Sequence, residues 1–267
     1  MTPFEVVVRW NSSFLRGESL PEEERLASVH VLLQAVCDPE TVRQFYRKGG
    51  AADGEERYRY PLFYVPPSDK GKKHVTLTRV TPRSHLFSAN AYELEILGLL
   101  AILGRENELV HEMLSKTKER LSRTCFGRFC EDGECFETSI HVLRFWGRAF
   151  PDEMASLEKL LHGIKAHMGD RSRHSGTAFY YRLALSELPL DLVQSEIRSS
   201  QNELLRQLGK SYVMNSENDR YVNVMAKYIL RNVLSRLPEY EYLKNREPYL
   251  SESDGRLHVD VYPLEYR

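Results

Sequence analysis

The sequence predicts a mainly α-helical protein built from stacked antiparallel helical hairpins. Aromatic residues mark four similar stretches, at Tyr92, Phe136, Phe179 and Tyr221, which lie 44, 43 and 42 residues apart. In each stretch a turn-prone cluster precedes the aromatic residue, and the apolar run that follows ends at Gly or Pro. A repeat period near 43 residues, with two helix-length segments in each unit, is typical of stacked helical pairs.

The first of these stretches, Ser88 to Arg105, is predicted to organise the chain. Asn90 is suited to cap its helix and Gly104 to end it. The apolar residues cover most of the helix circumference, so the helix should lie between other elements rather than on the surface. These residues are Ile96, Leu99, Leu100 and Leu103.

The remaining helices of the predicted array, which spans residues 88–238, follow from charge order and from Gly or Pro stops. Acidic residues at the start of a segment and basic residues at its end match the helix dipole. The predicted helices cover residues 106–122, 134–150, 152–168, 177–188, 189–208 and 217–237.

Residues 1–87 are predicted to form a less regular unit. Residues 4–10 are rich in valine and predict a short strand, with an amphipathic helix as the alternative. Two helices follow, one from Leu20 to Asp38 and one from Asp38 to Gly49. Residues 57–80 are aromatic and β-prone, and they predict a β-hairpin or extended arm with Lys70, Lys72 and Lys73 at its tip.

The tail, residues 239–267, is rich in tyrosine and proline. Residues 256–262 alternate in polarity and predict a short strand. We expect this strand to pair with the N-terminal strand or with the hairpin at residues 57–80, which would tie the two ends of the chain together.

Composition narrows the class of protein. The net charge of −1 gives no overall attraction to nucleic acid or to acidic membranes. The first residues lack the basic and apolar regions of a signal peptide, and no apolar run approaches the length of a membrane span. Four cysteines do not make a disulfide framework in a chain of this length. The sequence therefore predicts a cytoplasmic protein with reduced thiols and no membrane partner.

No catalytic motif stands out. The sequence contains no phosphate-binding glycine loop, no G-x-S-x-G elbow and no H-E-x-x-H motif. Glu93 and Glu95 are two residues apart on a helix and therefore point to different faces. These absences favour a protein that is not an enzyme.

One cluster has the residue types of a zinc site. Cys125, Cys130, Cys135 and His141 are spaced C-x4-C-x4-C-x5-H, without the C-x2-C pair of strong zinc motifs. Cys135 and His141 would lie about 240° apart around a helix, so they would face different directions. The alternative is that the cysteines fill a helix junction as small apolar residues. The sequence therefore predicts no cofactor, with zinc at these four residues as the alternative.

A second cluster could bind an anion or single-stranded nucleic acid, because Arg beside aromatic rings suits both ligands. The alternative is that these basic residues complement the dipoles of helix C-termini. The candidate binding residues are Arg120, Arg123, Lys165, Arg171, Arg173, His174, Tyr180 and Tyr181.

Many of the fifteen tyrosines lie at residues 58–64 and 240–266. Tyrosine contributes strongly to protein–protein contact energy, so these segments could recognise a partner. The alternative is that the two segments pack on each other.

The helical-pair period resembles that of HEAT-type repeat proteins. In size, and in the stretch YELEILGLLAILGRENELV, the chain also resembles the all-helical immunity proteins that bacteria make against their own secreted toxins. The second resemblance implies a cytoplasmic, non-enzymatic protein that binds and blocks a cognate toxin. Neither resemblance assigns a role to an individual residue.

Together these observations predict a helical-repeat scaffold whose concave face or tyrosine-rich edge binds another protein. The first alternative is a helical-toroid enzyme or small anionic ligand binder, with Arg, Tyr and His at the repeat turns. The second is a nucleic-acid-associated protein, which the near-zero net charge disfavours.

Overall fold

The computed structural model describes residues 1–47, 55–67, 76–78, 82, 84–168, 175–210, 212–213, 215–245, 249–253 and 256–260. These residues are mainly helical, as predicted. The helices are α1 (Pro3–Arg16), α2 (Glu22–Gln34), α3 (Pro39–Arg47), α4 (His85–Leu103), α5 (Glu108–Ser122), α6 (Cys125–Arg128), α7 (Gly133–Ala149), α8 (Met154–Met168), α9 (Ser175–Glu187), α10 (Leu190–Leu208) and α11 (Glu217–Leu234). Two 3-10 helices cover Glu55–Arg59 and Pro238–Asn245.

Helix α4 occupies the centre of the fold. It packs most extensively on α7, which packs on α9, and α9 packs in turn on α11. The predicted burial of α4 is confirmed, because Ile96, Leu99 and Leu100 are 0% exposed. The helix begins earlier than predicted: Ser84 caps it by accepting a hydrogen bond from the Phe87 amide at 3.1 Å.

Helix α4 is also the one helix among the described residues whose length and composition would suit a membrane span. About five sixths of its apolar window is buried inside the fold (83%), and buried core helices pass the same test.

The N-terminal strand predicted for residues 4–10 is wrong, and the alternative of a helix is correct, because these residues belong to α1. Thr2 and Glu5 form a capping box at the start of the helix, with Pro3 in the first turn. Gly17 ends it with a left-handed φ of 76°. Strong signals at both ends outweigh the β-propensity of the three valines. Helix α1 packs on both α4 and α11.

The predicted β-hairpin is also wrong over the residues that the structure describes. Within residues 57–67 and 76–78 there is no strand. The backbone amides of residues 62–64 donate to the Glu93 carboxylate instead of to a partner strand. The tip, with Lys70, Lys72 and Lys73, lies outside the described residues.

A small antiparallel sheet forms near the C-terminus from β1 (Tyr212–Val213), β2 (Tyr249–Ser253) and β3 (Arg256–Asp260), in the order β1-β3-β2. Strand β3 lies inside the stretch predicted as a strand. Its partners differ from the prediction, since Leu257 pairs with Tyr212 and with Glu252.

One hydrophobic core includes residues from Val6 to Leu243. It therefore continues across the two predicted segment boundaries, which lie after residue 87 and after residue 238. It includes the predicted anchors Tyr92, Phe136 and Phe179, and Tyr221 packs against it. This core places the polar side chains described next between helices rather than on the surface.

Candidate functional site

Three of the predicted binding residues are buried, so they do not lie on a binding surface. Arg120, Tyr180 and Tyr181 are 2%, 3% and 6% exposed. Each lies within a helix, as predicted, but its side chain is buried in the core and not at a basic binding surface.

The other predicted binding residues are paired or lie outside the described part of the chain. Arg123 contacts Glu119 at 2.8 Å and Lys165 contacts Glu196 at 2.5 Å. Arg171, Arg173 and His174 lie outside the described residues. The part of the predicted basic surface that the structure describes is therefore interleaved with acidic residues.

The buried Arg120 belongs to a contact that holds residues 58–64 against α4. The Glu93 carboxylate accepts hydrogen bonds from the amides of Leu62, Phe63 and Tyr64 at 2.7–3.1 Å. Arg120 lies 3.5 Å from the same carboxylate, and its Nη1 donates to the Tyr58 carbonyl at 3.2 Å. A tyrosine-rich segment predicted to contact a partner is thus partly committed to packing inside the fold.

Asn90 joins the same contact. Its side-chain oxygen accepts from Arg120 at 2.9 Å, and its side-chain nitrogen donates to the Arg59 carbonyl at 2.9 Å. Asn90 therefore connects two segments and does not cap α4.

Burial raises the pKa of Glu93, although Arg120 and the three amides offset part of this effect. Burial lowers the pKa of Arg120.

A second group of buried charges joins α1, α4, α7 and α9. Arg144 on α7 lies at its centre and is 3% exposed. It forms an ion pair with Glu95 on α4, and its guanidinium binds both oxygens of Glu187 on α9 at 2.9 and 3.0 Å. Asn11 on α1 accepts a further hydrogen bond from Arg144. One side chain thus contacts three neighbouring helices.

Arg148 lies one turn further along α7 and shares two of these partners. It donates to both oxygens of Glu187 at 2.8 Å and to the Asn11 side chain at 2.9 Å. The two arginines and two glutamates balance in charge, which lowers the cost of burying them. No described residue accepts a hydrogen bond from the Nη1 atom of Arg148.

His141 lies beside this group and not with the cysteines, as its position about 240° around the helix from Cys135 predicted, so the alternative four-residue zinc site does not include it. Its Nδ1 is 3.5 Å from Glu95, and its ring centre is 3.9 Å from that of Tyr180. Cys135 and His141 are separated by about 240° around the axis of α7, so the two side chains face different neighbours.

The buried charges around Arg144 make the free energy of unfolding fall as the pH becomes acidic. Burial alone would raise the pKa of Glu95, but Arg144, His141 and Arg148 outweigh burial and lower it from 4.5 to about 2. Because the unfolded chain binds this proton first as pH falls, the stabilisation is present above about pH 4.5 and is lost toward about pH 2. The same ion pairing lowers the pKa of Glu187 against the effect of burial.

We therefore expect the free energy of unfolding to fall by about 2 kcal/mol from pH 7 to pH 3 because of proton binding at Glu95 alone. Urea unfolding at both pH values should show this loss in the wild type. In Glu95→Gln, the drop between the two pH values should be smaller by that amount. Parallel pH profiles for the two proteins would contradict the assignment.

The three cysteines of the predicted cluster do come together. Their sulfurs all lie within 4.8 Å of one another, and the sulfurs of Cys125 and Cys135 are 3.8 Å apart. Cys125 is exposed, whereas Cys130 and Cys135 are half-buried. Burial raises the pKa of the Cys135 thiol, and the neighbouring Cys125 raises it further. We call these three residues the thiol cluster.

The Ser139 hydroxyl holds the segments that carry the thiol cluster. It accepts from the Cys130 amide at 3.2 Å and lies 3.0 and 2.9 Å from the carbonyls of Phe126 and Cys135. Between α6 and α7 the chain turns sharply, with a left-handed φ of 92° at Phe129. This turn brings Cys130 back toward the helix that carries Cys135.

An open groove of about 800 Å³ lies between α1, residues 76–77 and the start of α11. Arg9 and Arg16 line it together with Glu5 and Glu18. Arg9 pairs with Glu24, and Arg16 lies 3.5 Å from Glu18. The basic groups of this groove are therefore already paired with carboxylates.

Three large apolar side chains are exposed where α2 meets the turn between α4 and α5. Leu26 is 54% exposed, and Ile102 and Leu109 are each 43% exposed. Arg25 joins these segments, since it bonds the Leu103 carbonyl and contacts Glu106 at 2.7 Å. We call Leu26, Ile102 and Leu109 the apolar patch. The charged residues Arg25 and Glu106 lie beside it, and apolar surface bordered by charge is typical of protein interfaces.

Comparison of the chain with protein-family models, with curated proteins and with solved structures finds no match.

Sequence reasoning missed both buried charge groups. Their signal is a charged residue within an apolar helical run, as at Glu93 and Glu95 in YELEILGLL and Arg144 in IHVLRFWG. A charge at such a position is expected to have a buried partner. The pattern does not identify that partner, because Glu187 and Asn11 are distant in sequence.

Proposed function

We propose that this chain is a non-enzymatic helical-repeat protein that binds another protein. The apolar patch carries the proposal. Exposed apolar residues grouped beside charged residues are typical of surfaces that bind proteins, whereas single exposed apolar residues are not.

The internal pairing of charges supports this proposal over a catalytic one. Glu95, Arg144 and Glu187 bind one another, and Glu93 binds Arg120 and backbone amides. The carboxylates of Glu93, Glu95 and Glu187 are paired inside the fold in this way, so they stabilise it and are not available to a substrate.

The repeat interpretation belongs to the same proposal. The four anchors lie on α4, α7, α9 and α11, which pack in that order. We propose that these helices and their partners are units with a period near 43 residues. The resemblance to immunity proteins suggests a secreted toxin as the partner and a cytoplasmic location for the complex.

A second candidate function is binding of a small anion. The observation that favours it is the buried Nη1 of Arg148, which has no acceptor among the described residues. A carboxylate or phosphate is the chemical class that this donor would bind.

Affinity capture from native lysate tests the proposed function. We expect one stoichiometric protein partner with the wild type. Leu26→Asp combined with Leu109→Asp should weaken capture at least roughly tenfold, because it places charge in the centre of an apolar contact. Both side chains are largely exposed, so the double variant should fold as the wild type does, which circular dichroism checks.

The matched control is Ser115→Asp, which adds a negative charge at another exposed position of α5. It should capture the partner as well as the wild type does. If the wild type captures no partner, or if the double variant captures it equally well, the apolar patch does not have this function.

A further inference from the structure

We propose that Cys125, Cys130 and Cys135 bind a zinc ion, with the Asp132 carboxylate or a water molecule as the fourth ligand. This inference goes beyond the proposed function, because binding a protein through the apolar patch requires no metal.

The spacing of the sulfurs is the first argument. Zn–S bonds of about 2.3 Å at a tetrahedral angle place two sulfurs about 3.8 Å apart. The sulfurs of Cys125 and Cys135 are 3.8 Å apart, and Cys130 lies within 4.8 Å of both. Two ligands therefore have the required separation, and the third needs a shift of about 1 Å at most.

The fourth position is the second argument. The Asp132 Oδ2 atom lies 3.8 Å from the Cys130 sulfur. Sulfur and carboxylate ligands of one tetrahedral zinc ion would be about 3.6 Å apart. The Asp132 carboxylate does not lie within 4.8 Å of all three sulfurs, but it is exposed and can turn toward the ion or leave the position to water. A mixed set of sulfur and oxygen ligands suits zinc better than copper(I), which prefers sulfur alone.

The surroundings of the thiol cluster support its use as a ligand set. Cys135 lies in the first turn of α7, with its sulfur 3.8 Å from that of Cys125. When zinc binds, each thiol transfers its proton to solvent, so one Zn²⁺ and three thiols give a zinc tris-thiolate and three protons. The cation offsets charges that three adjacent thiolates could not otherwise hold so close together.

The proposed ion would connect α6, the turn after it and α7. The Ser139 hydroxyl already holds these segments in place, so the ligands need little rearrangement. Ser139 is a positioning residue in this arrangement and does not touch the metal.

Cobalt(II) titration of the reduced protein under anaerobic conditions tests the site. We expect one Co²⁺ per chain, with the thiolate charge-transfer absorption and visible bands of tetrahedral coordination. One equivalent of Zn²⁺ should displace the cobalt. The dissociation constant for zinc should be about 10⁻⁸ M or lower, in the range of structural zinc sites.

Two cysteine variants distinguish metal binding by the thiol cluster from metal binding by the fourth cysteine, Cys37. Cys135→Ser should weaken metal binding roughly 100-fold or more, because it removes a ligand. Cys37→Ser, which changes a half-buried cysteine outside the thiol cluster, should bind cobalt and zinc as the wild type does.

Alkylation of the thiols in the wild-type protein tests the site without a variant, so it also applies if Cys135→Ser fails to fold. Zinc should slow alkylation of Cys125, Cys130 and Cys135 while leaving Cys37 unchanged, as measured by mass spectrometry of peptides. Equal alkylation rates with and without zinc, or micromolar binding that survives in Cys135→Ser, would overturn the proposal. A Cys125–Cys135 disulfide that forms in air in the presence of excess zinc would also overturn it.

Discussion

Arg144→Met should be among the most destabilising single substitutions in this chain. Among the described residues it removes the one side chain that contacts Asn11, Glu95 and Glu187 together, and it leaves two buried carboxylates with fewer partners. Breaking one side of a buried ion pair costs about 3–5 kcal/mol, because the remaining charge stays buried. We expect the melting temperature to fall by roughly 10 °C, measured by calorimetry or circular dichroism.

Arg198→Met is the matched control. Arg198 pairs with Glu239 at 2.9 Å, but the two side chains are 48% and 39% exposed. Exposed ion pairs contribute about 0–1 kcal/mol, so this variant should melt near the wild-type temperature. Equal melting temperatures for the two variants would show that Arg144 does not hold the helices together.

Glu93→Gln should release residues 58–64 from α4. The amides of Leu62, Phe63 and Tyr64 share this carboxylate as their acceptor, and Arg120 loses its buried counter-charge. A glutamine can accept at one oxygen only, and it carries no charge. We expect a loss of about 3 kcal/mol in the free energy of unfolding.

Hydrogen–deuterium exchange locates the effect of Glu93→Gln. A local opening that is easier by about 3 kcal/mol should speed exchange of the amides of residues 62–64 roughly 100-fold. Glu119→Gln, at an exposed residue that pairs with Arg123, is the control and should leave their exchange unchanged. Unchanged exchange of these amides in Glu93→Gln would exclude the role assigned to the carboxylate.

From residue 88 onward the predicted bounds of the helices lie close to the observed ones. Glycine and proline residues mark the ends of these helices, and so does the order of acidic and basic residues along each segment. The sequence also predicted that Glu93 and Glu95 face different directions, and in the structure each binds a different arginine. The partners themselves depend on how distant helices align. No local pattern contains that information.

For residues 4–10 the sequence favoured a strand over the helix that the structure shows, although the signals of the helix ends are present in the sequence. Thr2, Pro3 and Glu5 form its start and Gly17 its end. The three valines favour a strand, but in so short a stretch the capping residues at the two ends determine the structure.

The thiol cluster was only half predictable. The sequence placed Cys125, Cys130 and Cys135 near one another, and it indicated that His141 would face elsewhere. It did not indicate the turn at Phe129 that brings the three sulfurs within 4.8 Å of one another. A left-handed conformation at a phenylalanine is imposed by tertiary packing and is not a local preference.

We infer that the buried charges of Glu95, Arg144 and Glu187 hold α4, α7 and α9 together. A double-mutant cycle of Arg144→Met and Glu95→Gln, followed by urea unfolding at pH 7, tests it most directly. We expect a coupling energy of about 2–3 kcal/mol, since the two side chains share a desolvated contact. Coupling below about 0.5 kcal/mol, with Arg144→Met as stable as the wild type, would contradict the claim and favour a ligand site at these arginines.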